Sequence, residues 1–454
     1  MKDINRRDFL KLAGAGALAA GAAACGGGSK PTTSSQASGP DGEGRMEYRV
    51  NPKNGDKVSL LGYGCMRWQM KKDEDGKDIV DQESVNELVD RALEAGINYF
   101  DTSPAYLRGQ SEKASGNALA RHPRSSYYIA TKLSNFGDRS PEASAKMYHD
   151  SFEQMQTDYF DYYLMHSIGR GGYEAFKARY EDNGMMDFVL KEREAGRIRN
   201  LGFSFHGSKA EYDQMISLHD KYKWDFVQIE MNYMDWQHAD GVRNVNADYL
   251  YESLDKRGLP IVVMEPLLGG RLSRVPENVT RHMKEREPDL SIASWAFRFV
   301  GTYPRILTIL SGMTYREHLE DNIKTFTGFK PLTEEELDFL KDMAGIMATY
   351  PTVNCTHCNY CMPCPYGIDI PEIFAHYNKH VNDGTVAQSS EQANYKKLRK
   401  EYLLSYDKAI PTLRQADHCI GCGQCLPHCP QSIDIPAQLH RIDRYIENLK
   451  QNKL

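Results

Sequence analysis

Eight of the ten cysteines in this 454-residue chain lie in two short runs near its carboxyl end. Each run has three cysteines spaced three residues apart, then a fourth cysteine that opens the string Cys-Pro-x-x-Ile-Asp-Ile-Pro. Three thiolates at this spacing can wrap one turn of chain around three corners of a cuboidal iron–sulfur cluster. The sequence therefore predicts two 4Fe-4S clusters. The candidate ligands are Cys355, Cys358, Cys361, Cys364, Cys419, Cys422, Cys425 and Cys429.

Two other uses of these cysteines stay open at this point. Paired C-x2-C units also suit structural zinc, and eight cysteines in an exported protein can form disulfides. Neither use accounts for three thiols in one tight turn followed by proline, twice. The cluster interpretation is therefore the leading one.

The second run resembles the bacterial ferredoxin pattern C-x2-C-x2-C-x3-C-P in full, whereas the first run has only two residues before its last cysteine. In two-cluster ferredoxins the fourth cysteine of each run serves the other cluster. The resemblance thus implies that Cys429 completes the first set of three cysteines and that Cys364 completes the second.

The N-terminus predicts export. Residues 5–11, with Arg6 and Arg7, resemble a twin-arginine signal, and Leu12–Ala24 is weakly apolar. That stretch is shorter than the ~20 apolar residues of a membrane-spanning helix. Cys25 follows three alanines and resembles a lipoprotein cleavage and lipidation site. We therefore expect a signal over 1–25, a flexible Gly- and Ser-rich linker over 26–45, and a mature protein on the periplasmic side, lipid-anchored to a membrane through Cys25.

The rest of the chain has the composition of a soluble body. The full chain has 26% charged and 41% hydrophobic residues and a net charge of -6, which indicates no nucleic-acid partner. The length of 46–330 is close to the ~250 residues of one (β/α)8 barrel. We assign 331–454 to a small, mainly helical ferredoxin-like iron–sulfur domain.

Short β-rich runs alternate with amphipathic segments through this body. One such segment places Val85, Leu88 and Val89 on a single helical stripe. Eight strands each followed by a helix favour an α/β fold of the TIM-barrel type, although the count does not exclude an open sheet. Met46–Leu60 predicts an N-terminal hairpin. The predicted strands are Leu61–Cys65, Asn98–Asp101, Tyr127–Thr131, Tyr159–Met165, Ile198–Phe203, Phe226–Ile229, Ile261–Glu265 and Ile306–Leu310.

Four polar residues fall at or just after the ends of three consecutive predicted strands. Asp101 closes the second strand with Tyr106 five residues later, Lys132 follows the third, and His166 follows the fourth. The carboxyl ends of barrel strands are where catalytic residues are expected. A phenol beside an ammonium is a candidate acid, since the cation lowers the phenol pKa, and a carboxylate behind the lysine fixes the pair. We predict these four as catalytic residues.

In these residues the chain resembles the aldo-keto reductase family, over most of Leu61–Asn322. Further shared motifs are GYGCMR from Gly62, YLRGQSE from Tyr106 and ILSGMTYREHLEDN from Ile309. The resemblance implies hydride transfer between a nicotinamide and a carbonyl or alcohol. Tyr106 would protonate the carbonyl oxygen, and His166 would orient the substrate. The implied cofactor-binding residues are Gly64, Met66, Ser204, Gln228, Met264, Ser311 and Asn322. With the cysteine runs, the chain resembles the ferredoxin-fused branch of that family.

Several positions depart from the family pattern. Phe205 replaces an Asn that contacts the nicotinamide amide, and Met264 and Glu265 replace a stacking aromatic and a Ser. Arg316 is the only guanidinium near the place where basic residues clamp the 2'-phosphate of NADP. NAD(P) is therefore a candidate cofactor, with the choice between NAD, NADP and no nicotinamide open.

Three functions follow from these patterns. The leading hypothesis is an oxidoreductase acting on a small carbonyl or alcohol, whose two clusters exchange electrons with a redox partner protein. The first alternative is an electron-transfer or docking module with a catalytically lapsed barrel. The second is a reductase whose clusters are only structural. Any membrane contact is expected through the lipid anchor alone.

Overall fold

Short apolar runs form the strands of a closed parallel barrel. The structure, a computed structural model, describes residues 44–239 and 244–454. The barrel runs from β3 through β6 and on in chain order to β12, which pairs with β3 again, so the sheet is not open. The strands are β1 (Tyr48–Val50), β2 (Lys57–Ser59), β3 (Leu61–Gly64), β4 (Met70–Lys72), β5 (Asp78–Val80), β6 (Tyr99–Asp101), β7 (Tyr128–Leu133), β8 (Phe160–Gly169), β9 (Ile198–His206), β10 (Phe226–Glu230), β11 (Ile261–Met264) and β12 (Ile306–Ser311).

The prediction of an eight-stranded (β/α)8 barrel is confirmed, and each predicted strand overlaps one barrel strand. The predicted N-terminal hairpin is also present as the antiparallel pair β1–β2. Val58 from this hairpin packs with barrel-interior residues that include Tyr162 and Phe226. A second antiparallel pair, β4–β5, follows the first barrel strand.

Helices that connect the barrel strands pack against the barrel through apolar side chains, and α1 shows the single apolar stripe that the sequence predicts. In α1 the buried residues are Val85, Leu88, Val89 and Ala92, at helical spacing. The helices are α1 (Gln82–Glu94), α2 (Ser111–Leu119), α3 (Pro141–Met155), α4 (Gly172–Phe176), α5 (Met185–Glu194), α6 (Lys209–Ser217), α7 (His219–Tyr222), α8 (Asp235–His238), α9 (Ala247–Lys256), α10 (Glu277–Arg286), α11 (Ile292–Gly301), α12 (Arg316–Phe326), α13 (Glu334–Ala348), α14 (Ile370–Asn382), α15 (Tyr395–Ala409) and α16 (Ile435–Gln451).

A second hydrophobic core lies beyond the barrel. It is built from α14, α15 and α16, with Phe374, Tyr402 and Ile442 fully buried. Helix α13 instead contributes Leu340 and Met343 to the barrel core. Barrel packing therefore extends past the boundary predicted at residue 330, because the apolar face of α13 is buried against the barrel. The barrel and the C-terminal helices pack as one compact unit.

The predicted export signal, the lipidation site at Cys25 and nearly all of the linker lie outside the described residues. Within the ranges 44–239 and 244–454, no helix has the length and apolarity needed to cross a bilayer.

Candidate functional site

Asp101 and Lys132 form a buried ion pair at the carboxyl end of the barrel. Asp101 ends β6 and Lys132 lies in the neighbouring strand β7. The Lys132 Nζ donates to Asp101 Oδ1 at 2.5 Å and to the Thr102 carbonyl at 2.8 Å. Lys132 is 1% exposed and Asp101 is 2% exposed, so neither charge is solvated and each depends on the other.

Tyr106 and His166 complete the predicted group of four. Tyr106 opens a tight turn after β6, and the Lys132 Nζ lies 4.9 Å from the centre of its ring. The His166 ring packs edge-on against the Tyr106 ring, with 5.9 Å between ring centres. His166 Nδ1 is 2.6 Å from the Ser134 hydroxyl. The structure therefore brings the four predicted catalytic residues together.

The protonation states follow from burial. Burial, with Lys132 nearby, lowers the pKa of His166 well below its usual value, so its imidazole is neutral. Burial also raises the pKa of Tyr106 well above 10, and the Asp101 carboxylate adds to the rise. The predicted lowering of the Tyr106 pKa is thus wrong. Desolvation of the phenolate outweighs the attraction of an ammonium that faces the ring and is already paired with Asp101. Tyr106 remains a proton donor at neutral pH.

A cavity of about 470 Å³ opens beside Asp101 and Tyr106. Gln228 is a wall residue whose Oε1 is buried without a hydrogen-bond partner among the described residues. An unpaired buried acceptor is costly, and a carboxamide NH2 from a bound nicotinamide would satisfy it. Six of the seven predicted cofactor-binding residues line this cavity: Gly64, Met66, Gln228, Met264, Ser311 and Asn322. The cavity thus fits the cofactor that the resemblance implies.

Ser204 is the predicted cofactor residue that does not line the cavity. Its hydroxyl accepts a hydrogen bond from the backbone N–H of Ser167 at 2.7 Å. The neighbouring Phe205 is buried and packs edge-on against Tyr212. Neither Ser204 nor Phe205 therefore makes the contact with the nicotinamide amide that the family pattern predicts at its position.

The part of the cavity wall formed by α12 carries two carboxyl side chains. Glu317, His318 and Asp321 line the cavity there. The Arg316 guanidinium instead contacts Glu320 at 3.4 Å and its side chain is 64% exposed. This arrangement gives no phosphate clamp at the position that binds the NADP 2'-phosphate in the family.

The eight cluster cysteines gather around two further cavities, and none of the eight is in a disulfide. Cys355, Cys358, Cys361 and Cys429 line one cavity, and we call them the first cysteine group. Cys364, Cys419, Cys422 and Cys425 line the other, of about 240 Å³, and form the second cysteine group. The fourth cysteine of each run thus lies with the other run, in the crossed arrangement that the ferredoxin resemblance implies.

The chemistry of these donor sets fits cuboidal clusters. Each cavity is lined by its own group of four thiols, with Cys361 of the first group also reaching the second cavity, and a 4Fe-4S cluster takes four cysteine thiolates. The sulfurs line the cavity walls instead of meeting at one point. Within the described ranges no three His, Cys, Asp or Glu side chains stand close enough to hold a single metal ion.

The loop that carries the first cysteine group is fixed to the carboxyl face of the barrel. The Thr356 carbonyl accepts a hydrogen bond of 2.6 Å from Arg67, a residue of the large cavity. Gly269 lies so close that a Cβ there would be 2.1 Å from the Thr356 oxygen. Gln431, which lines the cavity of the first cysteine group, donates to Glu230 at 2.8 Å. The barrel and the cysteine-rich domain thus share one interface.

Tyr360 and Glu265 are two further functional candidates. Tyr360 was not predicted from the sequence, and Glu265 was noted only as a departure from the family pattern. Tyr360 lies between two cluster cysteines and near enough to Tyr106 to contribute to its raised pKa. Glu265 lines the large cavity, and burial raises its pKa to about 7. The position of Tyr360 between two cluster cysteines could have marked it as a candidate, but only the fold shows that it lies near Tyr106.

A (β/α)8 barrel with these four residues at its carboxyl face, joined to a domain with two groups of four cysteines, defines an oxidoreductase that contains iron–sulfur clusters. The chain belongs to the aldo/keto reductase family, whose profile matches residues 60–344. A 4Fe-4S dicluster domain profile matches residues 354–433.

Individual relatives agree with this assignment. The chain is similar to the oxidoreductase YqkF of Bacillus subtilis, at 24% identity over 63% of this chain and 92% of the relative. It is also similar to L-galactose dehydrogenase of Arabidopsis thaliana, at 24% identity over 67% and 95% of the two chains.

Solved structures show the same barrel. An aldo-keto reductase from Bacillus halodurans in its holo form has 21% identity and a TM-score of 0.52, covering 66% of this chain and 96% of its own. One from Klebsiella pneumoniae in complex with NADPH has 18% identity and a TM-score of 0.51, covering 66% and 95%.

Proposed function

We propose that the barrel interconverts a small carbonyl compound and an alcohol by hydride transfer, and that the two 4Fe-4S clusters exchange electrons with a redox partner protein. The observation that carries this proposal is the shared interface. The loop of the first cysteine group contacts Arg67 and Gly269 at the same barrel face that holds Tyr106. Cluster site and reaction site are therefore adjacent.

Each residue of the group of four has a role that its surroundings support. Tyr106 keeps its proton at neutral pH and can donate it to a carbonyl oxygen. Lys132 and Asp101 hold a fixed dipole beneath that ring. Neutral His166 can orient the substrate oxygen by a hydrogen bond.

A nicotinamide, when bound, supplies or accepts the hydride. Gln228 would hold its carboxamide through the unpaired Oε1. The Asn322 amide donates to the Ser311 hydroxyl at 2.9 Å, which fixes two further residues of the cavity wall. The carboxyl side chains of Glu317 and Asp321 would repel a 2'-phosphate, and Arg316 does not clamp it. Binding of NADH and of NADPH is therefore measured separately.

The decisive experiment is anaerobic purification followed by iron, sulfide and organic-cofactor analysis. About eight irons per chain match two cubes. NADH, NADPH and candidate alcohols are then added while the visible absorption of the clusters is followed. Bleaching by one of these donors supports the proposal, and bleaching by dithionite alone refutes the electronic link. Tyr106→Phe should abolish turnover while leaving reduction by dithionite unchanged.

A second candidate function is an electron-transfer or docking module whose barrel has lost catalysis. It is favoured by Ser204, whose hydroxyl is used by Ser167, and by Phe205, which is buried away from the cavity. Under this function neither dinucleotide binds, and Tyr106→Phe changes no measured rate. A fluorescence titration of the cavity with NADH and NADPH separates the two functions.

Our proposal for location is that the mature protein is exported and lipid-anchored through Cys25. It is supported by the sequence order of paired arginines, a short apolar stretch and a cysteine after three alanines. A freely exchanging nicotinamide would not be regenerated outside the cytoplasm, so the clusters would provide the route for electrons. Labelled palmitate should enter the wild-type protein but not Cys25→Ser. Equal labelling of both, or of neither, refutes the anchor.

A further inference from the structure

Exposed apolar side chains are concentrated around the second cysteine group. The residues 44–239 and 244–454 contain eight exposed large hydrophobic residues. Four of these lie in the segments that carry Cys364, Cys419, Cys422 and Cys425. They form what we call the apolar rim: Tyr366 (45% exposed), Leu413 (79%), Ile420 (64%) and Leu426 (39%).

The apolar rim is continuous with the cavity of the second cysteine group. Tyr366 and Ile420 line that cavity, together with Cys422, a cysteine that is itself exposed. The Leu413 carbonyl lies 3.7 Å from where a Cβ of Gly367 would be, so the chain at Leu413 passes beside the residue that follows Tyr366. Two rim residues therefore line the cavity that holds the cysteine sulfurs. The other two lie close to it, since Leu426 Cδ1 is 3.5 Å from where a Cβ of Gly423, another residue of that cavity, would be.

The first cysteine group is the less exposed of the two, since Cys355, Cys358 and Cys361 are half-buried and none of its four cysteines is exposed. Cys429 is buried, at 6% exposure, and the Thr356 segment is pinned by Arg67 and Gly269 of the barrel. The two groups share a wall residue, Cys361, which lines both cavities. The first group thus lies against the barrel face that holds the reaction site, and the second group carries the one exposed cluster cysteine among the described residues.

We propose that the apolar rim is the docking surface for a one-electron carrier protein, which meets the second cluster at Cys422. This inference rests on the proposed function, since it names the surface at which the clusters would exchange electrons with the redox partner protein. Large hydrophobic residues are normally scattered singly on a surface, and a cluster of them marks an interaction site. Here the cluster of side chains adjoins the cavity of the group that must exchange the electron.

The size and charge of the rim fit a transient carrier better than a second copy of the chain. Four side chains offer a few hundred Å², below the ~800 Å² per partner of a stable complex and in the range of weak redox encounters. The neighbouring Arg414 is paired with Asp369 at 2.9 Å, so it is not free to direct a charged partner. We therefore expect contact through apolar surface, with weak dependence on salt.

The test uses the full cluster-loaded protein and cytochrome c from horse heart as the carrier, at about 0.15 M salt, where screening over ~8 Å limits non-specific attraction. Leu413→Ser removes the most exposed rim side chain without changing charge. Leu404→Ser is the matched control, because Leu404 is 60% exposed on α15 and lies outside the rim. Iron content and visible spectrum establish that both variants keep their clusters.

Two readouts are compared. The first is the Kd for zinc-substituted cytochrome c, whose zinc does not change oxidation state in the dark, measured by titration calorimetry. The second is the rate at which cytochrome c oxidises clusters that dithionite has reduced. We expect Leu413→Ser to weaken binding and slow this rate by about tenfold or more, with oxidation by ferricyanide unchanged. Leu404→Ser should match the wild type throughout.

Equal behaviour of Leu413→Ser and wild type would overturn the proposal, as would an equal loss in Leu404→Ser. A concentration-dependent dimer in sedimentation that Leu413→Ser abolishes would also overturn it, since the rim would then serve a second copy. Because dithionite reduces the clusters in this assay, failure of NADH and NADPH to bleach them refutes only the proposed function.

Discussion

Replacing Lys132 by methionine tests the buried ion pair at the base of the reaction site. Methionine keeps much of the volume of the lysine side chain but removes the ammonium that donates to Asp101 and to the Thr102 carbonyl. The Asp101 Oδ2 has no hydrogen-bond partner among the described residues even in the native protein. The variant therefore leaves a carboxylate that is 2% exposed with no compensating charge.

The expected cost is large because removal of one partner from a buried pair destabilises a protein by about 3–5 kcal/mol. For one unit of this size, with ~2.1 cal/mol/K of unfolding entropy per residue, 1 kcal/mol shifts Tm by about 1 °C, so the Tm should fall by about 5 °C. Burial already raises the pKa of Asp101, and loss of the ammonium raises it further. When the pKa of a carboxyl is higher in the folded than in the unfolded protein, the free energy of unfolding falls as the pH rises from the unfolded to the folded pKa. The Tm deficit should thus be larger at pH 8 than at pH 5.

The assay is calorimetric or circular-dichroism melting of the cluster-loaded protein at one scan rate, at both pH values. The matched control is the double variant Lys132→Met with Asp101→Asn, which carries no buried charge and should regain at least half of the lost Tm. A double variant that melts no higher than the single one would refute the reasoning. So would a Lys132→Met deficit that is the same at pH 5 and pH 8.

Three further predictions concern the interface, the clusters and a second buried acid. Gly269→Ala should loosen the cysteine loop and speed iron loss, since its Cβ would be 2.1 Å from the Thr356 oxygen. Gly270→Ala is the control for backbone strain, because Gly270 also has a positive φ (99°) but has open space around it, and it should speed iron loss less; equal rates of iron release to a chelator would contradict this. Cys422→Ser should lower bound iron from about eight to about four per chain, measured by colorimetric iron analysis, and unchanged iron would show that Cys422 is not a ligand. Burial raises the pKa of Glu112 to about 7, so the protein should lose stability as pH rises from about 4.5 to about 7, and Glu112→Gln should reduce that slope in melting curves.

The barrel could be predicted from sequence because each strand is a local pattern. Ile198–His206 and Phe226–Glu230 are apolar runs bounded by polar turns, and such runs are recognisable without knowing what they pack against. The strand ends were predicted less well, since the ladder between β8 and β9 continues to Gly169 and His206. Pairing with a neighbouring strand, and not local preference, decides where a strand stops.

The same division holds within the site. The spacing of Asp101, Tyr106, Lys132 and His166 placed them at one end of the barrel, because strand ends in a closed parallel barrel converge. The acidity of Tyr106 was predicted in the wrong direction. A pKa depends on burial and on where the ammonium points, and neither property is encoded in the spacing of residues.

The sequence by itself determined the chemistry that the chain carries: eight thiols in two runs, four polar residues at strand ends, and the alternation that closes a barrel. Only the tertiary structure decided how these parts meet. It set Thr356 against Gly269, left Ser204 outside the cavity and exposed Leu413 beside the second cysteine group. Contacts between residues far apart in the chain depend on the packing of whole domains, and no local pattern specifies them.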